Sequence, residues 1–189
     1  MTKVHYFTAV TIDGYIADEH NSLDWLFAVE SPPDPAWEER FFADVGVLAC
    51  GSTTYEWVVE HENLRQNPQR WNEIYPGRTT WVFTHRDLPV LPGADIRFVH
   101  GDVADIYPEM AAVAGERNIW VIGGGDLVGQ FDDAGLLDEI ALSVAPVTVG
   151  AGATVLPRRI EQRLQLEEAS ASGGFAFLRY AVDRRRQSR

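Results

Sequence analysis

The chain has 189 residues, of which 46% are hydrophobic and 23% are charged, a composition typical of one substantial globular domain. Its formal net charge is -12, from 16 basic and 28 acidic residues, which argues against a nucleic-acid-binding surface and against binding to an anionic membrane. Cys50 is the only cysteine, and the N-terminus has neither a signal-peptide pattern nor an apolar run long enough to span a bilayer, so we expect a cytoplasmic protein without disulfides.

The first predicted elements are a strand and a helix separated by a long loop. Residues 4–11 are rich in β-branched and aromatic side chains and predict a strand. An Asp-Gly pair at 13–14 ends or bends this strand, and residues 15–17 continue as an extended loop. A helix is predicted over 35–43, because Asp34 is a good N-cap and proline suits the position that follows it.

The next segment is a buried strand that leads into a second helix. Residues 45–50 form a short, continuous apolar run, which is typical of a strand buried on both faces. Gly51 ends this strand, and Ser52 or Thr53 is predicted to cap the helix after it. Residues 61–77 are polar and are predicted to be irregular.

The second half of the chain continues to alternate strands and helices and then ends in a hairpin. The predicted elements are strands over 79–84 and 96–99, a helix over 103–115, a strand over 118–122, a helix beginning near 126, a strand over 140–144, a flexible loop over 149–153, and two strands over 164–169 and 175–182. This order predicts an α/β fold with a mostly parallel central sheet, flanking helices and a C-terminal antiparallel hairpin. We expect a single domain over 1–183 and a basic tail over 184–189.

Three glycines, Gly123, Gly124 and Gly125, stand between the strand over 118–122 and the following helix. Backbone N–H groups without a nearby Cβ, at the start of a helix with a favourable dipole, form a natural binding site for a phosphate or pyrophosphate. A tight turn in which glycine only supplies a positive φ explains this stretch equally well. Two further segments, 51–53 and 84–86, also follow strands, and ligands of parallel sheets bind beyond the carboxyl ends of the strands. The convergence of three segments on one edge favours the anion site.

Several motifs in this order resemble the dihydrofolate reductase-like fold, in particular the C-terminal reductase domain of bifunctional riboflavin-biosynthesis proteins and its stand-alone bacterial relatives. The matching segments are FTAVTIDGYIA at 7–17, DWL at 24–26, CGSTTY at 50–55, VIGGG at 121–125, QF at 130–131, DEI at 138–140 and PV at 146–147. They cover nearly the whole chain. The resemblance implies an NADPH-dependent reductase with a sheet of about eight strands and a cis peptide between Gly123 and Gly124.

The resemblance also implies roles for individual residues in binding the cofactor. The pyrophosphate is expected at Gly124, Gly125, Asp126 and Leu127, with Ile122, Gly123 and Val128 beside them, and at Gly51, Ser52 and Thr53. The adenosine ribose and its 2′-phosphate are expected at Thr84, His85 and Arg86, and the nicotinamide at Ala9, Ile16 and Ala17.

Three departures from the family pattern bear on cofactor and substrate. Ser52 and Asp126 stand where relatives have basic residues, which weakens the attraction for phosphate and leaves NADH possible beside NADPH. No carboxylate on the first helix matches the one that holds the pterin in folate reductases, although Asp34 and Glu38 are near that position. We therefore do not expect a true dihydrofolate reductase.

Hydride transfer to a C=N or C=O acceptor can require a proton donor, and the candidates are Asp13 and Asp24. Turn formation by Asp13 and capping by Asp24 are the alternative explanations. Trp25 and Trp37 could stack on a flat heterocycle, or could be ordinary core residues. The five histidines show no metal-ligand spacing, so no metal is expected.

The sequence thus predicts an NAD(P)H-dependent reductase of a small planar heterocycle such as a pterin or aminopyrimidine. Two alternatives remain: a non-catalytic nucleotide-binding or dimerisation module that keeps the fold, and a protein that binds flavin or another nucleotide in the same site. The irregular region over 61–77 and the loop over 18–33 are expected to shape the substrate pocket. A homodimer is expected, because a C-terminal hairpin at a sheet edge invites pairing and riboflavin-type relatives are dimeric.

Overall fold

The computed structural model describes residues 2–31 and 35–184. The predicted N-cap Asp34 and residues 185–189 of the predicted basic tail lie outside the described residues. Arg184 is described, and its guanidinium contacts the Leu136 carbonyl and the Asp138 carboxylate. Within the described part of the chain, no helix is long and apolar enough to cross a bilayer.

The secondary structure consists of ten strands and six helices in these described ranges. The strands are β1 (Val4–Thr11), β2 (Tyr15–Asp18), β3 (Val45–Gly51), β4 (Thr79–Phe83), β5 (Ile96–Val99), β6 (Asn118–Gly123), β7 (Leu137–Ala145), β8 (Gly152–Thr154), β9 (Leu164–Ser172) and β10 (Phe175–Val182). The helices are α1 (Asp24–Phe27), α2 (Pro35–Ala43), α3 (Ser52–His61), α4 (Arg70–Ile74), α5 (Val103–Ala114) and α6 (Gly125–Asp133).

The central sheet has eight strands in the order β5-β4-β3-β6-β1-β7-β10-β9. Neighbours from β5 to β7 are parallel, whereas β10 pairs antiparallel with both β7 and β9. The α/β fold, the mixed eight-stranded sheet and the C-terminal hairpin predicted from the sequence are therefore confirmed. The carboxyl ends of β4, β3, β6 and β1 lie side by side along one edge.

Alternate residues of the central strands pack on opposite faces of the sheet, as the period of two in a strand requires. Tyr6 packs in one core cluster with α5 and α6 residues. Its neighbour Phe7 packs in another cluster with Trp37 and Phe41 of α2. The ring of Trp37 contacts Phe7 with 4.7 Å between centroids and Phe177 with 4.3 Å, so α2 covers the sheet with an aromatic layer.

Two loops predicted from the sequence are partly regular. Residues 15–17 were expected to be an extended loop and 149–153 a flexible one, but β2 and β8 pair antiparallel in a second, two-stranded sheet. Gly152 has φ +146°, and a Cβ placed there would lie 2.0 Å from the Ala17 carbonyl oxygen. The glycine therefore allows close approach of the two strands.

The irregular region predicted over 61–77 contains α4, which buries Trp71. The prediction that Ser52 or Thr53 caps α3 is wrong. The N-cap is Gly51, and no side chain caps that helix. Because β3 runs directly into α3, both hydroxyl residues are already inside the helix.

Candidate functional site

A large cavity lies against the carboxyl ends of the parallel strands. Its volume is about 1250 Å³, enough for a dinucleotide together with a small second ligand. The walls come from the strand ends, the starts of α3 and α6, and the segment around α1. Among the described residues that line it are Phe7, Ala9, Ile16, Ala17, Trp25, Phe27, Glu38, Gly51, Ser52, Thr53, Trp57, Phe83, Ile122, Gly123, Gly124, Gly125, Asp126, Leu127 and Ser143.

Two helix N-termini meet at the middle of this edge. The helices α3 and α6 have glycine N-caps, Gly51 and Gly124, and neither N-terminus is capped by a side chain. A Cβ added at Gly124 would meet no atom within 4 Å, and one at Gly51 would have only the Gly123 and Gly124 backbone nearby, at 3.9–4.0 Å. The first-turn N–H groups of a helix have no intrahelical acceptor, so both sets can bind an anion. We refer to Gly51, Gly123, Gly124 and Gly125 as the glycine cradle.

The glycines of the cradle serve different purposes. Gly124 leaves open space on the cavity side, whereas a Cβ at Gly125 would lie 2.5 Å from the Thr154 carbonyl oxygen and 2.6 Å from that of Val155. Gly125 is therefore needed for the packing of β8 against the start of α6. The Gly123–Gly124 peptide is cis, as the resemblance predicted.

The negative charge of Asp126 beside the cradle is offset by an arginine. Its side chain is 70% exposed, and its carboxylate lies 3.2 Å from Nη1 of Arg158 and accepts a hydrogen bond from Gln130 Nε2 at 3.1 Å. Arg158 also donates to Asp133 at 2.9 Å. These carboxylates raise the pKa of Arg158, that of Asp133 having the larger effect. Because Asp126 is paired with Arg158, it does not stand as an isolated anion at the helix N-terminus.

The opposite end of the cavity combines aromatic rings with a carboxyl group. Glu38, on α2, lines both the cavity and an adjoining hollow of about 50 Å³ that is also lined by Phe7, Trp37, Ser143 and Phe177. Burial raises the pKa of the Glu38 carboxyl. A half-buried carboxyl group among aromatic rings can hold a planar heterocycle, donate a hydrogen bond or supply a proton.

The two predicted proton donors do not line the cavity. Asp13 accepts hydrogen bonds from Thr11 Oγ1 at 2.5 Å, from Gly150 N at 2.7 Å and from Val149 N at 3.1 Å. The pKa of its carboxyl is lowered, mainly by the Thr11 hydroxyl. Asp24 is the exposed first residue of α1. Asp13 thus anchors the loop before β8, and the structure brings neither carboxylate to the site.

The other predicted residues divide between the cavity and its surroundings. Trp25 lines the cavity, and Trp37 lines only the adjoining hollow. Val128 is fully buried in the core behind the cradle. Thr84, His85 and Arg86 do not line the cavity, but they directly follow Phe83, which does.

Three aromatic rings stack beside the cavity, and this stack was not predicted from the sequence. Phe27 stacks on His61 with 4.9 Å between centroids, and His61 stacks on Trp57 with 4.4 Å. Trp57 and His61 are four residues apart on α3, and this spacing places them on one helix face. Phe27 has no such signal because it comes from the short segment around α1.

The described residues contain no group of three or more histidine, cysteine or acidic side chains that could hold a metal ion.

Comparison with known proteins relates the sequence to one family. A family model described as the RibD C-terminal domain matches residues 2–174. The uncharacterised protein YwjB of Bacillus subtilis (strain 168) is 27% identical over 181 residues, which cover 94% of this chain and 97% of YwjB. The uncharacterised protein YyaP of the same organism is 23% identical over 163 residues, which cover 84% of this chain and 82% of YyaP.

Solved structures share the fold. A Shewanella sp. PV-4 protein described as a candidate riboflavin biosynthesis protein has a TM-score of 0.76 at 21% identity, over 96% of this chain and 99% of that one. A pyrimidine reductase-like protein from Corynebacterium diphtheriae has a TM-score of 0.62 at 16% identity, over 96% and 92%. RibD from Acinetobacter baumannii has a TM-score of 0.63 at 14% identity, over 97% of this chain and 58% of RibD. These likenesses confirm the fold predicted from the sequence.

Proposed function

Because this chain belongs to the RibD C-terminal domain family, whose members are reductase-like, we propose that it reduces a small planar heterocycle of the aminopyrimidine or pterin type with a reduced nicotinamide dinucleotide. The observation that carries this proposal is the meeting of two helix N-termini without side-chain caps, at Gly51 and Gly124, beside a cavity of about 1250 Å³.

The residues present fit a dinucleotide. The first-turn N–H groups of α3 and α6 would hold its pyrophosphate, since open space lies over Gly124 and Asp126 is paired with Arg158. Ala9 of β1 and Ile16 of β2, which line the cavity, would contact the nicotinamide. When bound, the dinucleotide supplies the hydride, and the protein contributes orientation and exclusion of water.

The residues at the far end of the cavity fit the heterocycle. Phe7 and Trp37 form an aromatic wall that can orient a flat ring. Glu38 would bind the amino or ring N–H groups of the heterocycle. It would also hold a proton beside the C=N or C=O group of the heterocycle that accepts the hydride. Its raised pKa keeps the carboxyl protonated at higher pH than an ordinary glutamate, as a proton donor requires.

Titration with NADH and NADPH, followed by nicotinamide fluorescence, tests the cofactor, and a panel of aminopyrimidines and pterins then tests turnover by loss of absorbance of the reduced dinucleotide. The proposal requires saturable binding and oxidation by at least one heterocycle. Binding without turnover by any heterocycle would favour the non-catalytic module, and a yellow, flavin-loaded protein would favour the flavin-binding alternative. The absence of binding of either dinucleotide at about millimolar concentration would refute the proposal.

We also propose that two copies pair through the outer strand of the hairpin. β9 lies at one edge of the sheet, and its residues Leu164 and Leu166 are 41% and 52% exposed. An exposed edge with apolar side chains favours pairing with a second chain.

A further inference from the structure

The position of the cradle determines where the second nucleoside of a dinucleotide can lie. The ends of β4, β3, β6 and β1 are adjacent and parallel, with about 4.8 Å between neighbours. The cradle lies at the ends of β3 and β6. The part of the cavity that contains Glu38 and the aromatic rings lies on the other side, by β1, β7 and β10. Since a dinucleotide has one nucleoside on each side of its pyrophosphate, the adenosine then lies toward the end of β4. There, Phe83 lines the cavity, and Arg86 follows it by three residues in the chain.

At the end of β4, Arg86 is held by a carboxylate. Its Nη2 donates to Glu56 Oε2 at 2.6 Å and its Nη1 to Oε1 at 3.3 Å, a bidentate pair in which the side chains are 53% and 35% exposed. The backbone is fixed as well, because Arg86 N donates to Thr84 Oγ1 at 2.9 Å. Glu56 lies one turn beyond Ser52 on α3, so the ion pair connects the two segments that flank the adenosine end of the site.

No cationic side chain that lines the cavity takes the place of Arg86. The described residues that line it include no lysine, arginine or histidine; they include the carboxyl groups of Glu38 and of Asp126, which is paired with Arg158. Lys3, the only lysine of the sequence, precedes β1 at the opposite edge of the sheet. Dinucleotide-binding sites distinguish their cofactors at the adenosine ribose: a carboxylate accepts from the 2′-hydroxyl of NADH, and a free arginine binds the 2′-phosphate of NADPH.

We infer that Glu56 makes the site selective for NADH over NADPH, by occupying the guanidinium of Arg86 and by placing a negative charge beside the ribose. This inference rests on the proposed function. A 2′-phosphate would have to displace Glu56 from Arg86 and would meet the carboxylate as a like charge, whereas a 2′-hydroxyl can donate to it. Glu56 is thus a specificity-determining residue that acts on the ribose and not on the reacting atoms.

The test is a set of binding titrations of NADH and NADPH, followed by nicotinamide fluorescence at fixed ionic strength. The wild-type chain is expected to bind NADH more tightly than NADPH by about tenfold. Glu56→Gln frees Arg86 and is expected to tighten NADPH binding by about tenfold with little change for NADH. Adding Arg86→Ala to Glu56→Gln is expected to remove that gain, because the guanidinium binds the phosphate.

Glu60→Gln is the matched control, since Glu60 is exposed, lies on the same helix one turn further and carries the same charge. Thermal unfolding of each variant checks that the fold is retained. Equal or tighter binding of NADPH by the wild type would overturn the inference and leave the proposed function intact, as would equal effects of Glu56→Gln and Glu60→Gln. If the wild type binds neither dinucleotide, the proposed function itself fails.

Discussion

Substituting alanine for the two neighbouring glycines Gly124 and Gly125 separates ligand binding from packing. Gly125→Ala would place a Cβ 2.5 Å from one backbone carbonyl oxygen and 2.6 Å from another, and backbone cannot rotate away as a flexible side chain can. Such overpacking costs about 3 kcal/mol, of which the helix propensity of alanine recovers about 1 kcal/mol. We expect a net loss of about 2 kcal/mol, or a fall in Tm of about 4–8 °C for a chain of this size.

Gly124→Ala is expected to leave stability nearly unchanged. The residue has φ -81° and ψ 178°, which alanine adopts without strain, and a Cβ there would meet no protein atom within 4 Å. The same methyl group would project into the space where the pyrophosphate is expected. Dinucleotide affinity should therefore fall by about tenfold or more, the consequence of moving an anion away from two helix N-termini.

Thermal unfolding by circular dichroism and a dinucleotide titration, carried out on both variants and the wild type, measure these two effects. The account requires Gly125→Ala to lose stability and Gly124→Ala to lose affinity. If Gly124→Ala unfolds early or binds as tightly as the wild type, or if Gly125→Ala is as stable as the wild type, the division of roles within the cradle is wrong.

Three further predictions follow from other parts of the molecule. Because burial raises the pKa of Glu38, the free energy of unfolding should fall as pH rises from the ordinary glutamate pKa through the raised one. Urea unfolding across this pH range should show a smaller dependence of stability on pH for Glu38→Gln than for the wild type. The same pH dependence in both proteins would contradict the burial of that carboxyl group. Arg163→Ala should lower the free energy of unfolding by about 3 kcal/mol in urea, since it removes both hydrogen bonds of a bidentate pair with Asp132 in which the side chains of Arg163 and Asp132 are only 10% and 5% exposed; a loss near that of an exposed pair would refute this. Light scattering should report a dimer for the wild type and a monomer for Leu166→Lys, and a monomeric wild type would exclude the pairing proposed for β9.

The junctions that form the site could be predicted because their signals are local. An apolar run that ends in glycine and leads into a helical pattern indicates a strand–helix junction, and Gly51 and Gly124 occupy those positions. The convergence of the junctions also follows from the sequence, since parallel strands place their carboxyl ends at one edge. Sequence could not tell that Gly124 faces open space while Gly125 packs against β8, because that depends on residues 29 positions away or more.

The carboxylate that we propose as proton donor could not be assigned from sequence for a similar reason. Asp13 has a motif, an Asp-Gly turn at a strand end, but its oxygens accept from the distant backbone of Val149 and Gly150. Glu38 has no motif, and it reaches the cavity only because α2 lies across the aromatic face of the sheet. A short pairing such as β2 with β8 was missed because glycine-rich segments carry a weak strand signal until two of them meet.

A crystal structure of the chain with bound NADH tests the central claim most directly. The account predicts that the pyrophosphate oxygens accept hydrogen bonds, at about 2.7–3.2 Å, from first-turn backbone nitrogens of both α3 and α6, with the nicotinamide toward Glu38 and the adenosine ribose beside Glu56. A dinucleotide bound with its phosphates away from Gly51 and Gly124, or in the reverse orientation, would contradict it.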